Sequence, residues 1–359
     1  MIGRETDGPV VLGIESSCDE TAAAVVRGVE VLGAAVATQH ELHREFGGVV
    51  PEIASRAHVE RVLPVVRAAL ADAGIALDDV EAVAVGHRPG LIGALLVGTT
   101  AGKGLALGLD VPFVGVDHVH AHLLTGLLHR SGEPAPPPVE GPGLGLVVSG
   151  GHTNLYRVED VTTPLLLGRT IDDAIGEAFD KVAAMLELGH PGGPAVERLA
   201  AEGDPMAIDL PVANLGRDRL DFSYSGLKTA VRYAIEGVPG RQEAHRRPEP
   251  CDVAASFQRA AVQAVRRNLR KAIAAQPDAR HLLVGGGVVA NEAVRSMLRE
   301  ECEAGGLELR LPAMTWAQDN GAMIAALGAQ RLARHGGDSL DLAPVATSDD
   351  RAAPPPPSP

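Results

Sequence analysis

Two stretches of this chain carry the same order of apolar and polar positions. VLGIESSCDETAAAVV, residues 11–26, leads an apolar run into a tight turn of small and acidic residues and out along a second apolar run. VVSGGHTNL, residues 147–155, does the same through a turn of small and polar residues. Short apolar runs bounded by turn residues predict strands, so each stretch predicts a strand–turn–strand unit. One unit repeated about 135 residues apart predicts a duplicated domain. The second turn exposes backbone N–H groups at Ser149, Gly150 and Gly151, which suits a phosphate. Two such turns facing each other across a cleft would make a nucleotide site.

The rest of the pattern alternates helix with strand. Helical stretches are expected near 51–73, 91–108 and 118–129, with strands at 80–86 and 113–116. SGEPAPPPVEGPG, residues 131–143, is a Pro/Gly-rich boundary. Beyond it come a helical region near 172–188, a basic insertion around 237–250 and a helix at 252–275. The strand HLLVGG, a helix from about 291 and a last helix at 320–334 follow. This order argues for α/β layers. The Pro-rich end, APPPPSP, predicts disorder.

Composition narrows the picture. The chain has 359 residues, enough for two domains with sizeable cores. Aromatic residues are only 3%, so Ala, Val, Leu and Ile must do the packing. A net charge of −14 argues against a solitary nucleic-acid binder, because affinity for a polyanion comes from Lys and Arg on phosphates. GRQEAHRR, residues 240–247, is one candidate basic patch, or a solvated loop. Cys18, Cys251 and Cys302 are odd in number with no close pair, so neither a disulfide framework nor a zinc knuckle is expected. The N-terminus has no basic start followed by an apolar stretch, and LIGALLVGTTAG falls short of a membrane span. The expected location is the cytoplasm, with no membrane partner.

Several constellations carry chemistry. His118 and His122 stand four apart in VDHVHAHLLTGLL, a spacing that puts both imidazoles on one helix face. That is half of a metal site, or simply a His-rich helix. No Glu follows the first His, so the pattern is not the His-Glu-x-x-His of zinc proteases. Asp319 precedes an Ala-rich helix and reads either as a third ligand or as an N-cap. Two histidines with one carboxylate would favour Fe(II) over structural zinc. GGGVVAN, residues 285–291, follows a strand with glycines that let backbone approach a ligand, and Asn291 can reach a ribose or base. Asp173, Glu177 and Asp180 share a helix face, which is either a solvated face or a ribose-binding end of the cleft. Glu15, Asp19 and Glu20 in the first turn would repel phosphate, so they are expected to orient a metal, a water or an amine.

GIESSCDET, FGGVVPEIASRAH, PGLIGALLVG, the two-histidine helix, VVSGGHT, IDDAIGEAFDK, HPGGP, LDFSYSGLKTA, GGGVVAN and QDNGAMIA occur in this order. Together they closely resemble the TsaD family of tRNA N6-adenosine threonylcarbamoyltransferases, over about residues 10–335. The resemblance implies the duplicated α/β fold of actin-like ATPases, sugar kinases and Hsp70, two lobes with a nucleotide cleft between them. One lobe would span 10–130, completed by the helix at 319–335. A linker at 131–140 would lead to a second lobe at 141–318, and a disordered tail would fill 343–359. The implied reaction moves threonylcarbamoyl from threonylcarbamoyl-AMP to N6 of adenosine 37, in tRNAs that read codons beginning with A. The implied metal is one Fe(2+) on His118, His122 and Asp319. Substrate or adenine-nucleotide contacts fall on Val147, Val148, Ser149, Gly150, Gly151, Asp180, Gly193, Glu197 and Asn291. The implied partners are tRNA, a TsaB-like paralogous subunit and a TsaE-like ATPase. Two departures stand out. His87 and Arg88 precede Pro89-Gly90 where the family has small residues, and Asp117 stands before the metal helix where His or Asn is commoner.

The chemistry expected is acyl transfer from an activated mixed anhydride. His152 or Asp19 is the candidate acceptor of the N6 proton. A small-molecule kinase of the same fold would not need the histidine pair. A metalloprotease would need a base beside the metal. A non-catalytic scaffold would not need the triad at all.

Overall fold

Both repeated units fold as antiparallel hairpins. β1 (Val10–Glu15) pairs with β2 (Glu20–Arg27), and β7 (Gly143–Val148) pairs with β8 (Thr153–Val158). β1 and β7 are buried along their full length. Burial on both faces is why they read as unbroken apolar runs rather than alternating ones. The computed structural model describes residues 8–46, 48–189, 191–216, 219–239 and 247–348.

Around each hairpin the chain builds the same five-strand arrangement, to which the first sheet adds a sixth strand. In the first, β3 (Glu30–Thr38) joins β2 antiparallel, while β4 (Ala82–Arg88) and β5 (Phe113–Asp117) add in parallel beyond β1. β6 (His129–Arg130) closes the far edge, giving the order β5-β4-β1-β2-β3-β6. In the second, β9 (Leu165–Arg169), β10 (His281–Gly285) and β11 (Glu308–Arg310) complete the order β11-β10-β7-β8-β9. The senses match strand for strand: β8 and β9 are antiparallel, and β10 and β11 run parallel beside β7.

The helices of the first half are α1 (His40–His43), α2 (Pro51–Ala73), α3 (Ile92–Leu109) and α4 (His118–Ala121). Those of the second are α5 (Ile175–Met185), α6 (Gly192–Ala200), α7 (Ser225–Glu236), α8 (Pro250–Ala275), α9 (Glu292–Gly305) and α10 (Gly321–His335). Parallel neighbours require crossovers, and α2 and α3 serve β4 and β5 as α8 and α9 serve β10 and β11. α2 and α8 each start on a proline, which suits the first turn because its N–H would have no helical partner. Gly74 ends α2 at φ 68.

α2 and α3 cover one face of the first sheet and α10 lies on the other. That contact is backbone-close: a Cβ at Gly13 of β1 would stand 2.3 Å from the Gly321 carbonyl oxygen of α10. A core poor in aromatics packs by this kind of approach. One apolar cluster joins Val116, Leu123, Val147, Tyr156 and Met323, so the two sheets share a core.

The structure departs from the sequence reading at several points. The helix expected at 118–129 is one α turn followed by a 3-10 stretch, His122–Leu127. A Cβ at Gly126 would stand 2.5 Å from the Arg310 carbonyl oxygen, so the chain there is shaped by the edge of the second sheet. β3, β6, β9, β11, α1, α6 and α7 are not among the expected elements; β6, β11 and α1 are very short, and α6 opens on the Gly/Pro-rich PGGP. Residues 343–348 were expected in a disordered tail, yet they are hydrogen-bonded along the first sheet: Val345 N–H donates to His87 O at 2.9 Å and Ala346 O accepts from Gly90 N–H at 3.2 Å. Residues 349–359 lie outside the described residues.

Candidate functional site

The two hairpin turns face each other across a cleft of about 630 Å³. Ser17 to Glu20, His118 and Asp319 line one side. Ser149 to His152, Asp180, Gly193, Glu197, Gly287 and Asn291 line the other.

On the first side, β5 delivers Asp117, whose Oδ1 accepts from Val119 N–H at 2.9 Å and His120 N–H at 3.2 Å. This cap starts the turn that carries His118 and His122, whose rings stack edge to face with centroids 4.8 Å apart. His120 points elsewhere, against Tyr156. Asp319 Oδ1 lies 3.2 Å from His122 Nε2 and 3.7 Å from His118 Nε2. The sequence left Asp319 open between cap and ligand. The cap is its neighbour Asn320, which accepts from Met323 N–H at 2.9 Å, so Asp319 turns to the histidines. One donor atom from each of the three lies within 4.8 Å of the others.

Glu15 is fully buried behind His118, with Oε2 3.0 Å from its Nδ1. That contact directs Nε2 toward Asp319, the arrangement that orients metal-binding imidazoles. Burial works against the charged form of His118, but Glu15 and Asp319 outweigh it and hold its pKa up at about 10. Burial also works against ionised Asp319, and the imidazoles of His118 and His122 outweigh it, holding the carboxyl well below the usual range. Neither ring nitrogen of buried His122 makes an aligned hydrogen bond among the described residues. A pocket that draws positive charge, with two imidazoles and one carboxylate as donors, fits a divalent cation of the type that takes mixed N/O ligands.

A second group sits at the rim. Glu20 Oε1 is 3.2 Å from His40 Nε2, and Asp19 Oδ2 is 3.9 Å from the same nitrogen. Burial raises Glu20 to about 7, against the pull of the His40 hydrogen bond. Across the cleft, burial and the charges of His118 and His122 push His152 down to about 4. A base matched to neutral pH is more effective than one far below it, so Glu20 is better tuned than His152. In the sequence Glu20 is one of three acids of the first turn, and nothing there sets it apart from Glu15 and Asp19.

On the second side the turn is narrower in purpose than expected. Ser149 N–H donates to His152 O at 2.8 Å, which leaves the N–H groups of Gly150 and Gly151 for an anion. A Cβ at either glycine would meet nothing within 4 Å, so both face open space. Val147 and Val148 are fully buried in β7 and do not line the cleft. Asp180 accepts from Gly192 N–H at 2.8 Å and holds the start of α6, which brings Gly193 and Glu197 to the wall. Glu197 accepts from Glu292 N–H at 2.7 Å. Asn291 caps α9 through Val294 N–H at 3.2 Å and donates to Gln258 at 2.8 Å.

The acidic run divides, because α5 begins only at Ile175 and Asp173 precedes it, so the three acids expected on one helix face do not share it. Asp180 lines the cleft, while Asp173 pairs with Lys181 at 2.7 Å and Lys228 at 2.8 Å. The glycine triplet divides too. A Cβ at Gly285 would stand 2.1 Å from His122 O, and Gly286 has φ 95, so these two serve packing and conformation. Gly287 is the one of the three on the cleft wall. Residues 240–246 of the basic stretch, and His190, lie outside the described residues.

The profile of the TsaD family, tRNA N6-adenosine threonylcarbamoyltransferase, matches residues 30–326. The chain is 50% identical over 320 residues to a tRNA N6-adenosine threonylcarbamoyltransferase of Symbiobacterium thermophilum, covering 89% of this chain and 90% of that one. It is 51% identical over 316 residues to one from Moorella thermoacetica, covering 88% and 89%. Among solved structures it is similar to T. kodakarensis HypF, at TM-score 0.58 and 14% identity, over 92% of this chain and 49% of that one. It is also similar to component A of the Acidaminococcus fermentans (R)-2-hydroxyglutaryl-CoA dehydratase, at TM-score 0.51 and 16% identity, over 91% and 100%. At such identities the likeness is one of fold, a duplicated pair of sheets each built around an antiparallel hairpin.

Proposed function

The chain belongs to the TsaD family of tRNA N6-adenosine threonylcarbamoyltransferases, and from that premise we propose how its cleft performs the transfer. The protein is an acyltransferase that modifies N6 of a tRNA adenosine. In the proposed course the donor is threonylcarbamoyl-AMP and the acceptor is adenosine 37 of tRNAs reading codons that begin with A. N6 attacks the carbamoyl carbon, the bond from that carbon to the phosphate oxygen breaks, and AMP departs with the bond electrons.

The N–H groups of Gly150 and Gly151 hold the phosphate, and Asp180, Gly193, Glu197 and Asn291 hold the nucleoside. The wall at Gly287 allows the adenylate to lie close to backbone. His118, His122 and Asp319 hold the metal, for which Fe(2+) is our reading. When bound, it supplies Lewis-acid polarisation of an oxygen. The proton leaving N6 goes to a group in the first turn, Glu20 or Asp19, or to His152 opposite. The adenylate is already activated, so positioning carries most of the remaining demand.

The observation that supports this reading is the pairing of a donor triad with an open glycine turn on facing walls of one cleft. The test supplies purified chain, its partners, threonylcarbamoyl-AMP and unmodified tRNA, followed by nucleoside mass spectrometry. Threonylcarbamoyladenosine is the expected product. Its absence with an active partner set overturns the reading.

We also propose a TsaB-like paralogue and a TsaE-like ATPase as partners and the cytoplasm as the site of action. Val59 and Leu63 of α2 and Ile92 and Leu96 of α3 are exposed apolar side chains on two helices that pack together, a surface suited to a paralogous subunit. Changing Leu63 and Leu96 to Glu would abolish co-purification with the paralogue; unchanged association would remove this face from consideration.

A further inference from the structure

The residues after α10 have no part in the chemistry above, yet they reach the site. Gly336 ends α10 at φ 76 and the chain turns back along the first sheet. Asp338 N–H donates to Phe113 O at 2.7 Å, and its carboxylate accepts from Gly115 N–H at 2.9 Å. Leu342 covers Gly115 so closely that a Cβ there would stand 2.2 Å from its methyl. Val345 and Ala346 then pair with the backbone of His87 and Gly90, and Ala346 joins Pro89, Gly90 and Leu91 in the cleft wall.

The segment finishes at the base of the metal turn. Ser348 Oγ donates to Asp117 Oδ2 at 2.6 Å. The same oxygen lies 3.3 Å from Arg88 Nε. The other oxygen of Asp117 caps the turn that begins at His118. Asp117 is only 3% exposed. Both departures from the family pattern, His87-Arg88 and Asp117, therefore lie against this one segment.

A buried carboxylate needs a charge partner and directional donors to hold one orientation. Arg88 supplies the charge, while Ser348 supplies the direction. The turn beyond the cap is one α turn followed by 3-10 geometry, whose hydrogen bonds are poorer than those of a long helix. Its orientation therefore depends on the cap.

We propose that residues 338–348 are a positioning element for the donor set: Ser348 and Arg88 fix one oxygen of Asp117 so that the other holds the His118 turn in register with His122 and Asp319. This rests on the metal reading of the triad. Ser348, Arg88 and Asp117 are positioning residues that touch no reacting atom.

The test uses Co(II) as a spectroscopic probe, titrated into metal-free protein by calorimetry and visible absorption. Full-length protein binds one equivalent. Ser348→Ala, which removes one hydroxyl, weakens Co(II) binding about tenfold and shifts the ligand-field band, in line with losses seen when outer contacts of metal ligands are cut. Its metal-free melting midpoint moves by no more than about 2 °C. Ser348→Thr restores both affinity and band. A chain ended after Gly337 loses at least as much as Ser348→Ala. Equal affinity and identical spectra for full-length and Ser348→Ala protein overturn the proposal alone. Failure of the full-length protein to bind Co(II) overturns the metal reading, and the proposal with it.

Discussion

The two hairpin turns start from one design and end with opposite chemistry. The turn between β1 and β2 closes on itself through a carboxylate: Glu15 Oε1 accepts from Ser17 N–H at 2.5 Å. Asp19 and Glu20, where the turn enters β2, put acid into the cleft, and Glu15 steadies His118. The turn between β7 and β8 closes through backbone and a hydroxyl, Ser149 N–H to His152 O and His152 N–H to Ser149 Oγ at 3.1 Å. It has no acid and offers glycine N–H groups. A duplicated frame thus has a cation-gathering end and an anion-gathering end. An adenylate needs both, because it carries a phosphate at one point and a carbonyl to be polarised at another.

The hardest blow to this comparison is removal of a donor on the first side. His122→Ala should abolish metal binding and lower transfer by roughly a hundredfold or more, measured by nucleoside mass spectrometry and metal analysis. Activity retained without metal would leave the first turn without its assigned role.

The choice of base discriminates between the two turns directly. Glu20 must be deprotonated to accept a proton, and it titrates near 7, so transfer should rise with pH up to about 7 and level off above it. Glu20→Gln should remove that limb and cost roughly a hundredfold. If His152 were the base, titrating near 4, the rate would stay flat down to about that pH. A flat profile with a severe His152→Ala defect would move the base to the second turn.

Glu15→Gln keeps the shape behind His118 but removes the charge. The His118 pKa should fall, and metal affinity should drop about tenfold, read by titration and imidazole NMR. An effect of the same size is expected on the anion side. Gly150→Val has open space for its side chain, so stability should stay within about 0.5 kcal/mol of the parent. The side chain would stand where the phosphate docks, and the apparent Kd of an adenylate analogue should rise about tenfold. Gly176→Ala is the control: its Cβ would stand 2.6 Å from Ser149 O, so it should destabilise the turn by about 1–3 kcal/mol. Equal stability for the two variants would mean that the turn does not pack as described.

Much of this was legible before the structure. Apolar runs around small-residue turns announced both hairpins, and Pro51 and Gly74 bracket a helix predicted at its observed limits. The four-residue spacing of His118 and His122 held even though the helix beneath them shortened to one turn, because a 3-10 continuation still keeps them adjacent. Asp319 was ambiguous because Asp and Asn both cap helices, and only the fold shows Asn320 taking that role. Val147 and Val148 belong to the same motif as Ser149, but strand burial takes them from the cleft.

The sequence by itself determined what depends on near neighbours: strand and helix periodicity, turn composition, the duplication, and which residue types could ligate or bind anions. The tertiary structure decided which of those groups meet. Glu15 behind His118, Asp319 beside His122, Gly285 against the His122 backbone, and Ser348 on Asp117 all join residues far apart in the chain. Periodicity is a local property of backbone geometry, whereas these contacts exist only after two sheets and α10 have packed into one core.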